Sequence, residues 1–262
     1  MPYALNGGVK IHYEVRGEGL PIVLHIGGLG NLSVWESAGY VAGLKGFKCI
    51  LIDPRGHGAS DAPEDPLAHR VNDYVSDVVA VLDHLGIYRA AFFGFSNGGR
   101  VGFALCAKSP GRVTALIALD ACVDPEETRA RQLARFLRNR GIQPYYENLE
   151  AGERRKFPLW LRENFLAGDP EMFALEVEGF ALWEGSHRLA QKITSPTLLL
   201  TGGLESSQST CRTLADLIPA GAQLVVLKNL GHVGAFLSTD LLLPHVRDFL
   251  ARVQLGLDRR YS

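Results

Sequence analysis

The stretch Gly94-Phe95-Ser96-Asn97-Gly98-Gly99 decides the fold, because it joins two contrasting hydrophobic patterns. Residues 90–93 before it are a short apolar run, which is typical of a strand buried on both faces. Residues 101–107 after it predict an apolar helix that ends before Ser109-Pro110-Gly111. A serine spaced as Gly-x-Ser-x-Gly between such a strand and such a helix is typical of a nucleophile elbow. We therefore predict that Ser96 occupies a cramped, strained turn with its hydroxyl held above the sheet.

Strand and helix patterns alternate on both sides of this stretch. An N-terminal hairpin is predicted over residues 3–15, and further strands over 21–26, 48–53, 113–119, 196–201 and 223–227. Helices are predicted over 34–44, 71–85, 208–217 and 239–253. This alternation predicts an α/β fold with a mostly parallel sheet and helices on both faces. Ligands of such sheets gather at the carboxyl ends of the strands.

Residues 121–189 interrupt the alternation, because they carry no strand pattern. Asp124 and Pro125 predict the N-cap and the first residue of a helix that ends before Gly141. Two more helices are predicted near 154–165 and 170–183. We therefore predict a core formed by residues 1–120 and 190–262, with a helical lid over 121–189 inserted after the sixth strand.

Composition narrows the classes of partner. The net charge of −1 over 262 residues favours neither nucleic acid nor a membrane surface as a partner. No run of about eighteen apolar residues is present, so no membrane span is predicted. The four cysteines (Cys49, Cys106, Cys122 and Cys211) stand far apart without a CxxC pair, which predicts reduced, packing cysteines and no metal site. Since residues 1–8 lack an export signal as well, we expect a soluble, cytoplasmic protein.

A serine hydroxyl needs a base to become a nucleophile at neutral pH. His232 is the candidate, because Gly231-His232-Val233-Gly234 forms a glycine-flanked loop directly after a predicted strand. His25, in a strand, and His57, in a Gly-His-Gly turn, are expected to be structural.

The base in turn needs a carboxylate that fixes its tautomer. Glu205 is the preferred candidate, since it is the only carboxylate in the loop after the strand at 196–201. Asp120, at the end of the strand at 113–119, is the alternative acid.

Backbone N–H groups are needed for the oxyanion of a tetrahedral intermediate. The N–H of Asn97 opens the predicted elbow helix, where donors are free and the helix dipole favours negative charge. The second donor is expected from the glycine-rich loop at 27–30, with the N–H of Leu29 as the first choice.

The chain resembles the α/β-hydrolase superfamily in its small form with a helical lid. The resemblance rests on Gly94-x-Ser96-x-Gly98, on Asp53-x-Arg55-Gly56-His57-Gly58-x-Ser60, on the loop that ends in Glu205 and on Gly231-His232. It implies an eight-stranded sheet with an antiparallel second strand, a mechanism without a cofactor, and the order serine, acid, histidine. Two positions depart from the family pattern: Gly27-Gly28 stands where His-Gly is usual, and the acid is Glu where relatives usually have Asp. A serine at position 96 argues against the haloalkane dehalogenase and epoxide hydrolase branches.

The resemblance implies a serine hydrolase that acts on a small carboxylic ester or lactone. The alternatives on this scaffold are a hydrolase of carbon–carbon bonds, a thioesterase, a perhydrolase and a ligand receptor without catalysis. The lid supplies Phe165, Phe173 and Phe180 as possible pocket residues, and the pocket is expected to include Gly28, Phe95, Trp160, Trp183 and Phe236.

Overall fold

A computed structural model describes residues 2–204 and 208–257 of the chain. Its strands are β1 (Tyr3–Asn6), β2 (Val9–Arg16), β3 (Leu20–His25), β4 (Phe47–Ile52), β5 (Ala90–Phe95), β6 (Val113–Leu119), β7 (Thr197–Gly202) and β8 (Ala222–Leu227). They form one sheet in the order β1-β2-β4-β3-β5-β6-β7-β8. β2 runs antiparallel to β1 and β4, and the remaining neighbours are parallel. The predicted eight-stranded, mostly parallel sheet is confirmed.

Twelve α-helices lie in the described residues. They are α1 (Ser33–Ser37), α2 (Tyr40–Gly43), α3 (Val71–His84), α4 (Asn97–Lys108), α5 (Glu127–Arg140), α6 (Ile142–Glu153), α7 (Leu159–Leu166), α8 (Pro170–Ala181), α9 (Ser186–Ala190), α10 (Gln208–Leu217), α11 (His232–Leu237) and α12 (Thr239–Gln254). Short 3₁₀ turns cover Pro66–His69 and Pro110–Arg112. None of these helices has both the length and the apolar character that crossing a bilayer requires.

Each face of the sheet carries its own hydrophobic layer. Phe93 points into the layer formed with α1, α2 and α12, where its ring lies 5.3 Å from that of Trp35. The neighbouring Phe92 points into the layer formed with α3, α4 and α10. Successive side chains of a strand alternate between the two faces of the sheet. Because both faces are covered by helices, both phenylalanines are fully buried. β5 is therefore clamped from both sides immediately before Ser96.

Five helices, α5 to α9, occupy the segment between β6 and β7, which is called the lid segment below after its predicted role. The predicted start of the first of them at Pro125 is wrong, since α5 begins at Glu127. The carboxylate of Asp124 does not cap it; this carboxylate accepts the N–H of Ser186 at 2.7 Å. A helix lies near 154–165 as predicted, but α7 begins only at Leu159, because the chain breaks between α6 and α7, where Arg154 has φ +51°. The division into core and lid stays a prediction.

One pair of cysteines forms a disulfide, which makes the expectation of four reduced cysteines wrong. Cys122 and Cys211 are bonded across 89 positions of sequence, with their Cα atoms 5.1 Å apart. Cys122 follows β6 and Cys211 belongs to α10, so the pairing depends on a tertiary contact, which the spacing of the cysteines in the sequence does not reveal. Cys49 and Cys106 are free and buried, and burial raises the pKa of the Cys106 thiol to about 12. The cytoplasmic location, which used the reduced cysteines as support, stays a prediction.

Replacing both Cys122 and Cys211 by alanine should lower the free energy of unfolding by about 2–4 kcal/mol, because the cross-link restricts the unfolded chain. Urea unfolding without reductant measures the change. The double variant Cys49→Ala with Cys106→Ala is the matched control, since it removes two buried sulfurs but no cross-link. The two double variants could lose the same free energy of unfolding, and reductant could leave that of the wild type unchanged. Together, these results would show that the disulfide does not contribute to stability.

Candidate active site

Ser96 lies in the sharp turn between β5 and α4. Its backbone has φ +56° and ψ −123°, a combination that costs a non-glycine residue of the order of 1–3 kcal/mol. A Cβ atom on Gly94 would collide with the carbonyl of Gly98, and a Cβ atom on Gly98 would collide with the carbonyl of His25. The two glycines are thus required sterically. The turn leaves the Ser96 side chain half-buried at the wall of a cavity.

This cavity has a volume of about 320 Å³ and lies between the carboxyl edge of the sheet and the lid segment. Gly28, Leu29, Phe95, Ser96, Asn97 and His232 line it from the sheet side. Leu133, Tyr145, Leu149, Phe165, Phe173, Val177 and Phe180 line it from the lid segment. Ser96 and His232, which are 136 positions apart in sequence by their numbering, therefore face the same space.

Three aromatic residues predicted for the pocket lie elsewhere. Phe236 is buried behind Phe95, with the two rings stacked 4.7 Å apart. Trp183 lies at a separate surface cavity beside Arg70. Trp160 packs, partly buried, against the hydrophobic layer of its face. Sequence alone does not separate these residues from the phenylalanines of the cavity wall, because core packing and pocket lining use the same residue types.

His232 is the first residue of α11, and its ring lies 4.7 Å from that of Phe95. Desolvation, together with the positive charge of Arg100, lowers the pKa of His232 to about 4. The imidazole is therefore neutral near neutral pH and can accept a proton.

Asp120 directly follows β6, with φ +47°. Its Oδ1 accepts hydrogen bonds from Oγ1 of Thr201 at 2.8 Å and from the N–H of Gly202 at 2.9 Å. Its Oδ2 lies 4.0 Å from Nδ1 of His232. Glu205, the preferred acid of the sequence analysis, lies outside the described residues. Asp120 is thus the carboxylate that the described part of the chain brings to within 4.0 Å of the imidazole.

The loop at 27–30 presents different N–H groups from those expected. The N–H of Leu29 donates to Nε2 of His57 at 3.3 Å and is thereby directed into a side chain of the core. A Cβ atom on Gly27 would lie 2.5 Å from the backbone nitrogen of Asn97, so the loop passes directly against the start of α4. The N–H of Gly28 also has an acceptor, Oε1 of Glu176 at 3.3 Å, but Gly28 is half-buried at the cavity whereas Leu29 is buried.

Glu153 is a residue of the site that the sequence analysis missed. It is the last residue of α6, and its two carboxylate oxygens accept the N–H groups of Val233 at 2.6 Å and Gly234 at 2.8 Å. A carboxylate at the first turn of a helix satisfies donors that have no partner within that helix. Glu153 thus fixes the turn that begins with His232. No local pattern marks it, because the contact spans about 80 positions of sequence.

Known proteins resemble this chain in both sequence and structure. The profile of a family described as alpha/beta hydrolase fold matches residues 21–148. The 3-oxoadipate enol-lactonase 2 of Acinetobacter baylyi is 32% identical over 211 residues, which cover 79% of this chain and 68% of that protein. The enol-lactonase of Burkholderia xenovorans LB400 superposes with a TM-score of 0.85 at 28% identity, over 95% of this chain and 100% of that chain. Est816, described as an N-acyl homoserine lactone degrading enzyme, superposes with a TM-score of 0.80 at 30% identity. The match covers 95% of this chain and 100% of that chain.

Glu153→Ala should accelerate amide hydrogen exchange at Val233 and Gly234 by about 5- to 30-fold, because a lost helix cap costs roughly 1–2 kcal/mol. Exchange followed by NMR measures this change at single amides. Asn164→Ala is the matched control, because it removes another contact between the lid segment and the core, namely the hydrogen bond of the Asn164 amide to the Asn31 side chain at 2.9 Å. Unchanged protection at both amides in Glu153→Ala would show that Glu153 does not hold the turn.

Proposed function

Because the chain belongs to the α/β-hydrolase family, whose members here include enol-lactonases, we propose that it is a serine hydrolase that opens a lactone or cleaves a carboxylic ester. One observation carries the proposal: a strained serine and a neutral histidine face the same apolar cavity. Three relatives named as lactone-acting enzymes favour a lactone over an acyclic ester. Their substrates come to this chain by resemblance only.

The reaction proceeds by acyl transfer. His232 takes the proton of the Ser96 hydroxyl as Oγ attacks the carbonyl carbon of the substrate. The carbonyl oxygen becomes an oxyanion, which the N–H groups of Asn97 and Gly28 stabilise. The imidazolium returns the proton to the leaving oxygen, and water, activated by His232, then releases the acyl group. With a lactone the leaving oxygen stays attached to the acyl chain, so the single product is a hydroxy acid.

Asp120 and Glu205 compete for the role of the acid. Asp120 is supported by the separation of 4.0 Å between its Oδ2 and Nδ1 of His232, which must shorten before a hydrogen bond forms, and by the two donors that hold its other oxygen in place. Glu205 is supported by its position in the family pattern. We assign the role to Asp120, because a carboxylate fixes the tautomer of an imidazole only when its own orientation is fixed.

The cavity limits the substrate in size and polarity. Its volume of about 320 Å³ is at the lower end for a pocket that holds a small molecule. The wall formed by the lid segment is mostly apolar, with Leu133, Phe165, Phe173 and Val177 among its residues, and the charged residues Asp124, Glu126 and Arg129 also line the cavity. A substrate with a short apolar chain or a single ring fits this description, whereas a long acyl chain does not.

Ser96→Ala should abolish both hydrolysis of a short-chain p-nitrophenyl ester and labelling by a fluorophosphonate probe, because the nucleophilic oxygen is removed. Ser109→Ala, at the other end of α4, is the control and should retain both. A panel of lactones, thioesters and ring-cleavage dienones, followed with the wild type, identifies the bond that is cleaved. Labelling of Ser96→Ala at the rate of the wild type would exclude Ser96 as the nucleophile.

Asp120→Asn should lower kcat by roughly 10⁴, as expected when the imidazole loses its tautomer-fixing acid, and Glu205→Gln should leave kcat within about tenfold of the wild type. Steady-state kinetics with the same ester compares the two isosteric variants, and circular dichroism checks that both fold. The reverse ranking would return the role of the acid to Glu205.

A further inference from the structure

A carboxyl group from the lid segment reaches underneath the cavity. Glu176 belongs to α8 and is 2% exposed. Its Oε1 accepts hydrogen bonds from the side-chain amide of Asn97 at 2.6 Å and from the N–H of Gly28 at 3.3 Å. Its Oε2 lies 3.2 Å from Nε2 of His57. Glu176 therefore touches both segments that supply N–H groups to the oxyanion, and the proposed reaction gives it no role.

The contact between Glu176 and His57 requires a proton. Nδ1 of His57 lies 3.0 Å from the carbonyl oxygen of Arg55, and since a carbonyl only accepts, Nδ1 carries a hydrogen. Nε2 of a neutral ring then offers a lone pair, and so does an ionised Oε2. Two lone pairs at 3.2 Å repel each other unless a proton lies between them. Nε2 also accepts the N–H of Leu29 at 3.3 Å, so it carries the lone pair, and the proton that the Glu176–His57 pair shares belongs to Oε2 of Glu176.

The groups around this pair contribute little charge. Burial raises the pKa of Tyr145, on α6, to about 12, and it raises the pKa of Tyr74, on α3, as well, so both phenols are neutral. Burial lowers the pKa of His25, on β3, to about 4, so this ring is neutral too. Arg100, on α4, is a cation, and its guanidinium donates to the side-chain oxygen of Asn97 and to the carbonyl of Val123 at 2.7 Å. Loss of the shared proton would leave a buried negative charge on Glu176, which the charge of Arg100 offsets in part, while the neighbouring phenols and the His25 ring offset none of it.

That charge would lie beside the site of the oxyanion. The N–H of Gly28, which the proposed reaction uses as a donor, already donates to Oε1 of Glu176 at 3.3 Å, so the oxyanion competes with this oxygen for the N–H. A full negative charge at this distance opposes the formation of a second one. We propose that Glu176 is a positioning residue of the oxyanion site, which holds Asn97 and Gly28 in place and permits reaction only while the Glu176–His57 pair keeps its proton. The proposal rests on the proposed function.

Two pH-dependent steps follow for the wild type. The ratio kcat/KM should rise as His232 loses its proton, with the pKa of about 4 in the free protein. It should fall again at higher pH, by about tenfold per pH unit, once the pair loses its proton. Glu176→Gln keeps an oxygen for Asn97 and Gly28, and its amide can donate to Nε2 of His57. This variant has no shared proton to lose, so the fall at high pH should disappear.

The kinetic test measures kcat/KM between about pH 4 and about pH 10 for hydrolysis of a short-chain p-nitrophenyl ester, with the spontaneous rate subtracted. Glu178→Gln is the matched control, because Glu178 lies on the same helix and pairs with Arg138 at the surface. Wild type and Glu178→Gln should share the alkaline fall, whereas Glu176→Gln should stay level, with a plateau within about threefold of the wild type. Glu176→Ala, which loses the positioning bonds, should lower kcat by about tenfold with KM nearly unchanged.

The same alkaline fall in Glu176→Gln, or none in the wild type, would overturn the proposal. A second measurement needs no turnover: ¹⁵N NMR of His57 in Ser96→Ala, which keeps Glu176. The signal of Nε2 should report the shared proton and should differ from that in Ser96→Ala with Glu176→Gln. If the Nε2 signal is the same in the two variants, the pair does not share a proton and the proposal is wrong. A wild type that hydrolyses no substrate would instead refute the proposed function, while the NMR result would still stand.

Discussion

The close approach of β5 to α4 is the constraint on which the site depends. The two elements meet so tightly at Gly94 and Gly98 that no side chain fits at either position, and Ser96 between them is forced to positive φ. This conformation costs of the order of 1–3 kcal/mol. The fully buried Phe92 and Phe93 just before it each contribute about 1.5–3 kcal/mol by leaving water. Packing of the strand on both faces is thus large enough to hold the serine in a conformation that it would not adopt alone.

Much of this arrangement can be predicted from sequence, because it depends on local pattern. Glycine spacing around Ser96, the apolar runs of the strands and the alternation with helices predict the sheet. The position of His232 after the last strand predicts its place at the same edge of the sheet. These signals lie within about ten residues of the feature that they specify. The turn of Ser96 and the positions of the strands along the chain follow from them, whereas the number of strands and the antiparallel second strand came from the resemblance to the family.

The features that were missed are contacts between distant segments. Cys122 pairs with Cys211, Glu153 caps the turn of His232, and Glu176 reaches Gly28, each across some 80 to 150 positions of sequence. The acceptor of the Leu29 N–H was missed for the same reason, since the ring that accepts its hydrogen comes from residue 57. Two of these contacts, those of Glu153 and Glu176, begin in the lid segment. That segment therefore forms part of the site's polar framework, in addition to the apolar wall of its cavity.

The hydrogen bond between Asp124 and Ser186 has a consequence of another kind. It ties the two ends of the segment between β6 and β7 together, since Asp124 accepts the N–H of Ser186 at 2.7 Å. A peptide loop closed at its neck can lengthen, shorten or exchange its contents while the strands on either side keep their register. Evolution could thus remodel what this scaffold recognises by replacing helices beyond the neck, as long as the carboxylates of Glu153 and Glu176 that reach the catalytic edge are kept.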